Sequence, residues 1–333
     1  MIVFIHYVIS ICKRGVMMRY LMCLCACVLT FQAHALSFKS GQSISGASQN
    51  ATISQEEIDA CATDDLSPDM GNDLSVMSFN IRYDNSGDGA NAWPNRTGKV
   101  ASIFEKYDVA LGGLQEVLHH QMAWLQSNMT DYEFVGVGRD DGKTEGEYAP
   151  IFFKKSDFEL LGYDTIWLSE TPDVAGSKGW DAALPRIATM ARLRHKASDT
   201  QILLGSAHYD HRGTQAKRNS GKVIHDYITK ALASHDIPLI LLTGDFNDKP
   251  NTSTTGAIER INCLFDSRRL TDQRIGPNST WNGFRSVAAF ERIDYIFMNP
   301  ALPVVRQVID AERIDGGYPS DHMPVITTIK APQ

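Results

Sequence analysis

The segment "LLTGDFND" places Asp245 and Asn247 two residues apart at the end of an apolar run. In extended backbone their side chains project to the same side. A carboxylate with an amide neighbour can strip a proton from water while the amide holds an oxygen of the reacting group. The same residues also suit an ordinary strand-to-loop turn. Asp294 lies inside the otherwise apolar run "ERIDYIFM", a position that costs free energy unless the carboxylate has a partner. His322 of "YPSDHMPV" is a natural one, because an Asp–His hydrogen bond keeps an imidazole charged and oriented. The alternative is a buried aspartate bonded to arginine or backbone. Asp321 and His322 are adjacent, so their loop must turn to present both.

Other apolar runs end in polar residues too. Glu116 follows "LGGLQ" and is either a hard-cation ligand or an acid at the start of the next helix. "MSFNIRYD" offers Asn80, with Arg82 two residues on. "SAHYDHRG" packs His208, Asp210, His211 and Arg212 together, and its His-x-x-His spacing invites a transition-metal reading. We read that spacing as incidental: His208 ends a strand, Asp210 shares its side, and His211 and Arg212 begin the turn toward a helix.

These polar ends need elements to hold them. Short apolar runs suit buried strands: "LSVMSFNI", "VALGGL", "YAPIFFK", "IATMARL", "QILLGSAH", "PLILLTGDF", "RIDYIFM" and "PVITTI". Helical patterns occupy Thr97 to Tyr107, His120 to Met129 and Ala216 to Ser234. Strands interleaved with helices and hairpins predict a layered α/β fold. Strand ends on one edge of a sheet can gather side chains around a ligand.

Before this domain, residues 1–35 carry Lys13, Arg14 and Arg19, no acid, the run "YLMCLCACVLTF" and Ala33-His34-Ala35. That is the pattern of a secretory signal peptide, with an apolar run too short to span a bilayer. Lipoprotein anchoring at Cys27 in "LCAC" is the alternative. Residues 36–72 read as a polar tether with a short helix near "SQEEIDACA", and residues 73–331 as one domain. Four of six cysteines fall in the leader. Cys61 and Cys263 remain, without the spacing of a zinc site; export would allow them to pair. Loss of the leader removes three of 32 Lys+Arg and none of 39 Asp+Glu, leaving −10. No basic run advertises a grip on long nucleic acid. No stable membrane span is expected in the mature chain, and a monomer is expected.

In order along the chain, Asn80, Glu116, His208, "GDFN", "RIDYIF" and "SDH" resemble the endonuclease/exonuclease/phosphatase (DNase I-like) superfamily over about residues 74–330. "NAWPNR", "WLSETPD", "SKGWDAALPR" and "STWNGF" are similar to a bacterial subgroup near its deadenylase-like branch. The resemblance implies a four-layer α/β sandwich of two packed mixed β-sheets flanked by helices, with the site at one end. It makes Glu116 a Mg²⁺ ligand, with Asn80 beside it and Asp321 an acid near the metal. Asp245 would activate the attacking water, and Asn247 would hold that water or a phosphate oxygen. His322 would contact phosphate with Asp294 supporting it. His208 and Arg186, of "LPRIAT", would also face phosphate. Glu147, in "EGEYAPIFF", is a supporting residue for His208. Protonated histidines, Arg186 and Mg²⁺ (Mn²⁺ as a substitute) would stabilise the charge of in-line displacement. Trp281, Asn282 and Phe284 either meet the leaving group or anchor a loop.

The expectation is thus an exported, Mg²⁺-dependent phosphoesterase. A nuclease or phosphodiesterase stands ahead of a sugar or inositol phosphatase, and an inactive binding module comes last.

Overall fold

A computed structural model describes residues 52–59, 61 and 70–330. The leader, and most of the stretch expected as a tether, lie outside these residues. Within that stretch, a short helix α1 (Gln55–Asp59) is fastened to the domain. Ile53 is buried and its N–H donates to Arg269 O at 3.1 Å, Glu57 faces Arg269 at 3.8 Å, and Cys61 is disulfide-bonded to Cys263.

Two sheets form the body. The first contains β1 (Leu74–Asn80), β2 (Leu111–Gln115), β3 (Tyr132–Val135), β4 (Ile151–Lys154), β10 (Arg274–Ile275), β12 (Val304–Ile309) and β13 (Val325–Ile329). Its order is β10-β12-β13-β1-β2-β4-β3. The second contains β5 (Phe158–Trp167), β6 (Ile187–His195), β7 (Gln201–His208), β8 (Leu239–Asp245), β9 (Phe265–Asp266) and β11 (Asp294–Met298), in the order β5-β6-β7-β8-β11-β9. Both sheets mix parallel and antiparallel pairs.

Near-continuous apolar runs such as "LILLTGD" are buried along their whole length, as strands covered on both faces require. Val76, Leu111, Phe153, Leu204, Leu241 and Ile296 fill the space between the sheets. On the outer face of the first sheet, Phe79 and Phe152 meet Ile103 and Phe104 of α2 (Thr97–Lys106) and Leu125 of α3 (His119–Asn128). On the outer face of the second, Leu242 and Phe297 meet Ile224 and Ile228 of α4 (Thr214–Ser234) and Ile258 of α5 (Thr255–Asn262). Each such fully buried side chain contributes about 1.5–3 kcal/mol. The result is the expected four-layer sandwich.

Register explains where the chemistry collects. β1 and β2 run parallel with Asn80 opposite Gln115, and β7 and β8 run parallel with His208 opposite Asp245. Antiparallel β11 begins at Asp294, opposite Asp245. The ends that carry Asn80, Glu116, His208, Asp245 and Asp294 therefore lie on one edge. Small residues bring the sheets together there. A Cβ on Gly113 would lie 2.2 Å from Thr243 Oγ1 and 2.5 Å from Ser206 Cβ, and Gly244 N donates across the gap to Ser78 Oγ at 2.9 Å.

Candidate active site

Asp245 lies at the centre. It is buried, its Oδ1 accepts from Asn247 N at 2.9 Å, and its Oδ2 accepts from Asn80 Nδ2 at 3.0 Å. Nε2 of His208 and Nε2 of His322 stand 3.7 and 3.8 Å from Oδ2. Burial, then the nearby Asp294 charge, raises the Asp245 carboxyl to about 7. Such a pKa suits a base working near neutrality.

The two histidines occupy opposite charge states. His322 Nδ1 donates to Asp294 Oδ2 at 2.9 Å, both groups buried. Burial pulls the imidazolium down, but the Asp294, Asp245 and Asp321 carboxylates outweigh it and hold its pKa well above the usual value. His208 differs. A guanidinium only donates, so the 2.9 Å contact from Arg186 Nη1 makes His208 Nε2 an acceptor. The proton then sits on Nδ1, which faces Glu147 Oε2 at 3.5 Å. Burial, then Arg186 and Arg139, pushes this histidine well below its ordinary value. His322 is thus the histidine whose charge its carboxylate neighbours favour, and His208 is an acceptor that aims Arg186.

Arg186 also donates through Nη2 to His211 Nδ1 at 3.0 Å and lies 3.6 Å from Asp210. His211, expected as part of a turn, is therefore a second brace for the guanidinium. Asp210 accepts from the N–H groups of Ala183, Leu184, Arg212 and Gly213. Although burial opposes ionisation, these backbone donors lower its pKa to about 2, which fixes the loop leading into Arg186.

Glu116 Oε1 accepts from Asn80 Nδ2 at 3.0 Å, and its Oε2 accepts from Tyr83 N at 3.2 Å. Asn80 thus bridges Glu116 and Asp245 through its amide nitrogen, while its oxygen accepts from Arg82 N at 3.0 Å. Arg82, Glu116 and Asn247 all follow strand ends with φ of 60°, 60° and 48°. Non-glycine residues rarely adopt this conformation, and such strain clusters at functional sites. It also changes one expectation: past the end of β8, Asn247 does not follow the side of Asp245. Its Nδ2 instead donates to Tyr209 O at 3.0 Å.

Glu116, His208 and Asp245 each present a ligand atom within 4.8 Å of the others, as do Asp245, Asp294 and His322. In the second group His322 Nδ1 is engaged by Asp294 Oδ2 at 2.9 Å, which makes it a hydrogen-bonded acid–imidazole network. Asp321, above the usual carboxylate range through burial and then the Glu116 charge, faces the same side as Glu116, since Arg82 reaches both. Carboxylate oxygens on one side of the site fit a hard divalent cation.

Two further arginines complete the frame. Buried Arg96 donates to Ile81 O at 2.8 Å and Pro319 O at 2.7 Å, tying the end of β1 to the loop that carries Asp321 and His322. Its signal was the "NAWPNR" segment. Arg139 donates to Glu147 Oε2 at 2.7 Å, and no sequence signal marked it.

A mixed two-sheet sandwich with paired acid and histidine networks at one edge defines a phosphoesterase class of protein. Residues 77–322 match the endonuclease/exonuclease/phosphatase family, and the chain belongs to it. No curated protein matches the chain. Among solved structures, an endonuclease/exonuclease/phosphatase from Bacteroides vulgatus is 35% identical with a TM-score of 0.74, covering 78% of this chain and 99% of that one. A mannosyl-6-phosphatase from Bacteroides thetaiotaomicron is 33% identical with a TM-score of 0.73, covering 77% and 99%. D. rerio TDP2, complexed with single-strand DNA product, is 19% identical with a TM-score of 0.61, covering 78% and 99%, a likeness of fold. The chain is a hydrolase of phosphoric esters, and no helix among its described residues is long and apolar enough to cross a membrane.

Proposed function

We propose that the protein is an exported, Mg²⁺-dependent phosphomonoesterase acting on a small sugar phosphate. The observation that carries the hydrolytic reading is the convergence on buried Asp245 of Asn80 at 3.0 Å, His208 at 3.7 Å and His322 at 3.8 Å, beside Glu116. Asp245 takes a proton from water as that water attacks phosphorus in line. His322, held by Asp294, and Arg186, held by His208 and His211, donate to phosphoryl oxygens as negative charge grows on them. Glu116, set by Asn80, and Asp321 would hold Mg²⁺, which would supply Lewis-acid neutralisation of that charge. The P–O bond to the sugar breaks, the leaving oxygen takes a proton from solvent, and inorganic phosphate departs.

The sequence favoured a nuclease or phosphodiesterase; three observations move the reading to a monoester. A cavity of about 440 Å³ opens beside His322, lined by Asn247, Trp281, Glu291 and Ile293, a size suited to one small ligand. The relative at 33% identity is a mannosyl-6-phosphatase. The acidic chain carries no basic run along which a nucleic-acid backbone would track. The phosphodiesterase reading keeps one point in its favour: Trp281 and Phe290, 40% and 66% exposed, could stack on a base. The Cys61–Cys263 disulfide supports export, because such bonds persist in oxidising compartments.

The test is phosphate release from hexose 6-phosphates, inositol phosphates, bis(p-nitrophenyl) phosphate and oligonucleotides, each with Mg²⁺, Mn²⁺ or EDTA. The proposal expects the highest kcat/KM on a sugar monoester and no turnover in EDTA. Preference for oligonucleotides would overturn the substrate assignment.

A further inference from the structure

The mechanism above leaves Arg82 unused, although it stands among the candidate metal ligands. Its guanidinium forks onto Asp88, with Nε to Oδ2 at 3.1 Å and Nη2 to Oδ1 at 3.3 Å. It also lies 3.7 Å from Glu116 Oε2 and 3.8 Å from Asp321 Oδ2. This is not a wandering surface side chain. The backbone is fixed in the left-handed region at φ 60°, with N donating to Asn80 Oδ1 at 3.0 Å and O accepting from Gln121 Nε2 at 3.0 Å. The guanidinium packs 4.2 Å from the centre of the Tyr83 ring. Burial disfavours its charge, but Asp88, Asp321 and Glu116 outweigh that cost.

The geometry points to Arg82 as a resident cation in the place of a second metal, so that the site takes one divalent ion. The inference rests on the metal reading of Glu116 and Asp321 given above. Geometry makes the case: the guanidinium lies against Asp88, Glu116 and Asp321 at 3.1, 3.7 and 3.8 Å and takes the place among them that a further ion would need. A further divalent ion on the same carboxylates would meet an arginine that cannot lose its proton. It would also compete with the fork on Asp88, a geometry matched to guanidinium. Arg82 therefore limits stoichiometry while sharing the carboxylates with the ion, and acts as a positioning residue rather than a catalytic one.

The test is a Mn²⁺ titration of the metal-free full chain without substrate, following free Mn²⁺ by electron paramagnetic resonance. The wild type is expected to bind one Mn²⁺ per chain. Arg82→Gln, which keeps length and removes charge, should bind two, and Arg82→Lys, which keeps the charge, should bind one. Circular dichroism and the melting midpoint establish that each variant is folded; the wild-type stoichiometry is decisive without either. Two ions on the wild type, or one ion on a folded Arg82→Gln, would overturn the inference and leave the proposed activity standing. No bound Mn²⁺ at all would overturn both this inference and the metal reading beneath it.

Discussion

Asp294→Asn removes the charge that holds His322 while keeping an oxygen that can accept from it. The native contact is a 2.9 Å charge-assisted hydrogen bond between two buried groups. Bonds of that kind contribute about 1.5–3 kcal/mol, equivalent to about 10- to 150-fold in rate if the interaction serves the transition state. Its electrostatic consequence has a definite sign. Burial lowers the pKa of His322 and Asp294 is the leading group that raises it, so losing the carboxylate moves that pKa down. Activity that needs the imidazolium is lost as pH rises through the His322 pKa, so the alkaline limb of the kcat/KM profile should shift to lower pH. The assay is phosphate release from a sugar 6-phosphate across about pH 5 to 10 at saturating Mg²⁺. A variant within about threefold of wild type, with its alkaline limb unmoved, would refute the role given to this pair.

Three further outcomes follow from the same contacts. Glu147→Gln should lower kcat by about tenfold, because His208 Nδ1 loses its charged partner and the aim of Arg186 loosens; an unchanged kcat would remove Glu147 from the site. His195, remote from the site and hydrogen-bonded to Ser198 at 2.8 Å, is held below its ordinary pKa by burial. Its unfolded form therefore binds a proton first, so it contributes stability that is full above about pH 6.5 and lost as pH falls toward the depressed folded value. Urea denaturation at several pH values should show that slope weakened in His195→Gln; identical slopes would contradict it. Reducing the Cys61–Cys263 bond, which closes a 202-residue separation, should lower the unfolding free energy by about 2–5 kcal/mol, read as a lower melting midpoint of the wild type with dithiothreitol than without it, while Cys263→Ser melts alike in both; no shift in the wild type would show that the bond does not stabilise the fold.

The strand ends were legible because an apolar run that stops on Asn80, Glu116, His208 or Asp245 violates ordinary burial economy, and each of these residues lies on the shared edge. The Asp294–His322 pair was legible for the same reason. Less visible was β5, an edge strand with exposed residues and a register shift at Gly162, whose pattern is not a buried run. Same-side reasoning for Asn247 failed because φ of 48° ends the two-residue alternation. The neutrality of His208 depends on which side chain donates to it across 22 residues, a relation that spacing does not encode. Arg139 and Arg96 likewise act through loop contacts to Glu147 and to carbonyls, where no periodicity announces them.

The central claim is that Asp245 activates the water that attacks phosphorus. Its most direct test is Asp245→Asn, assayed for phosphate release from a sugar 6-phosphate with Mg²⁺, with Mn²⁺ binding measured in parallel. The account predicts that kcat falls by about 10²–10⁴-fold, the range for losing a positioned base, while the variant still binds Mn²⁺ through Glu116 and Asp321. Wild-type turnover in a folded, metal-binding Asp245→Asn would contradict it.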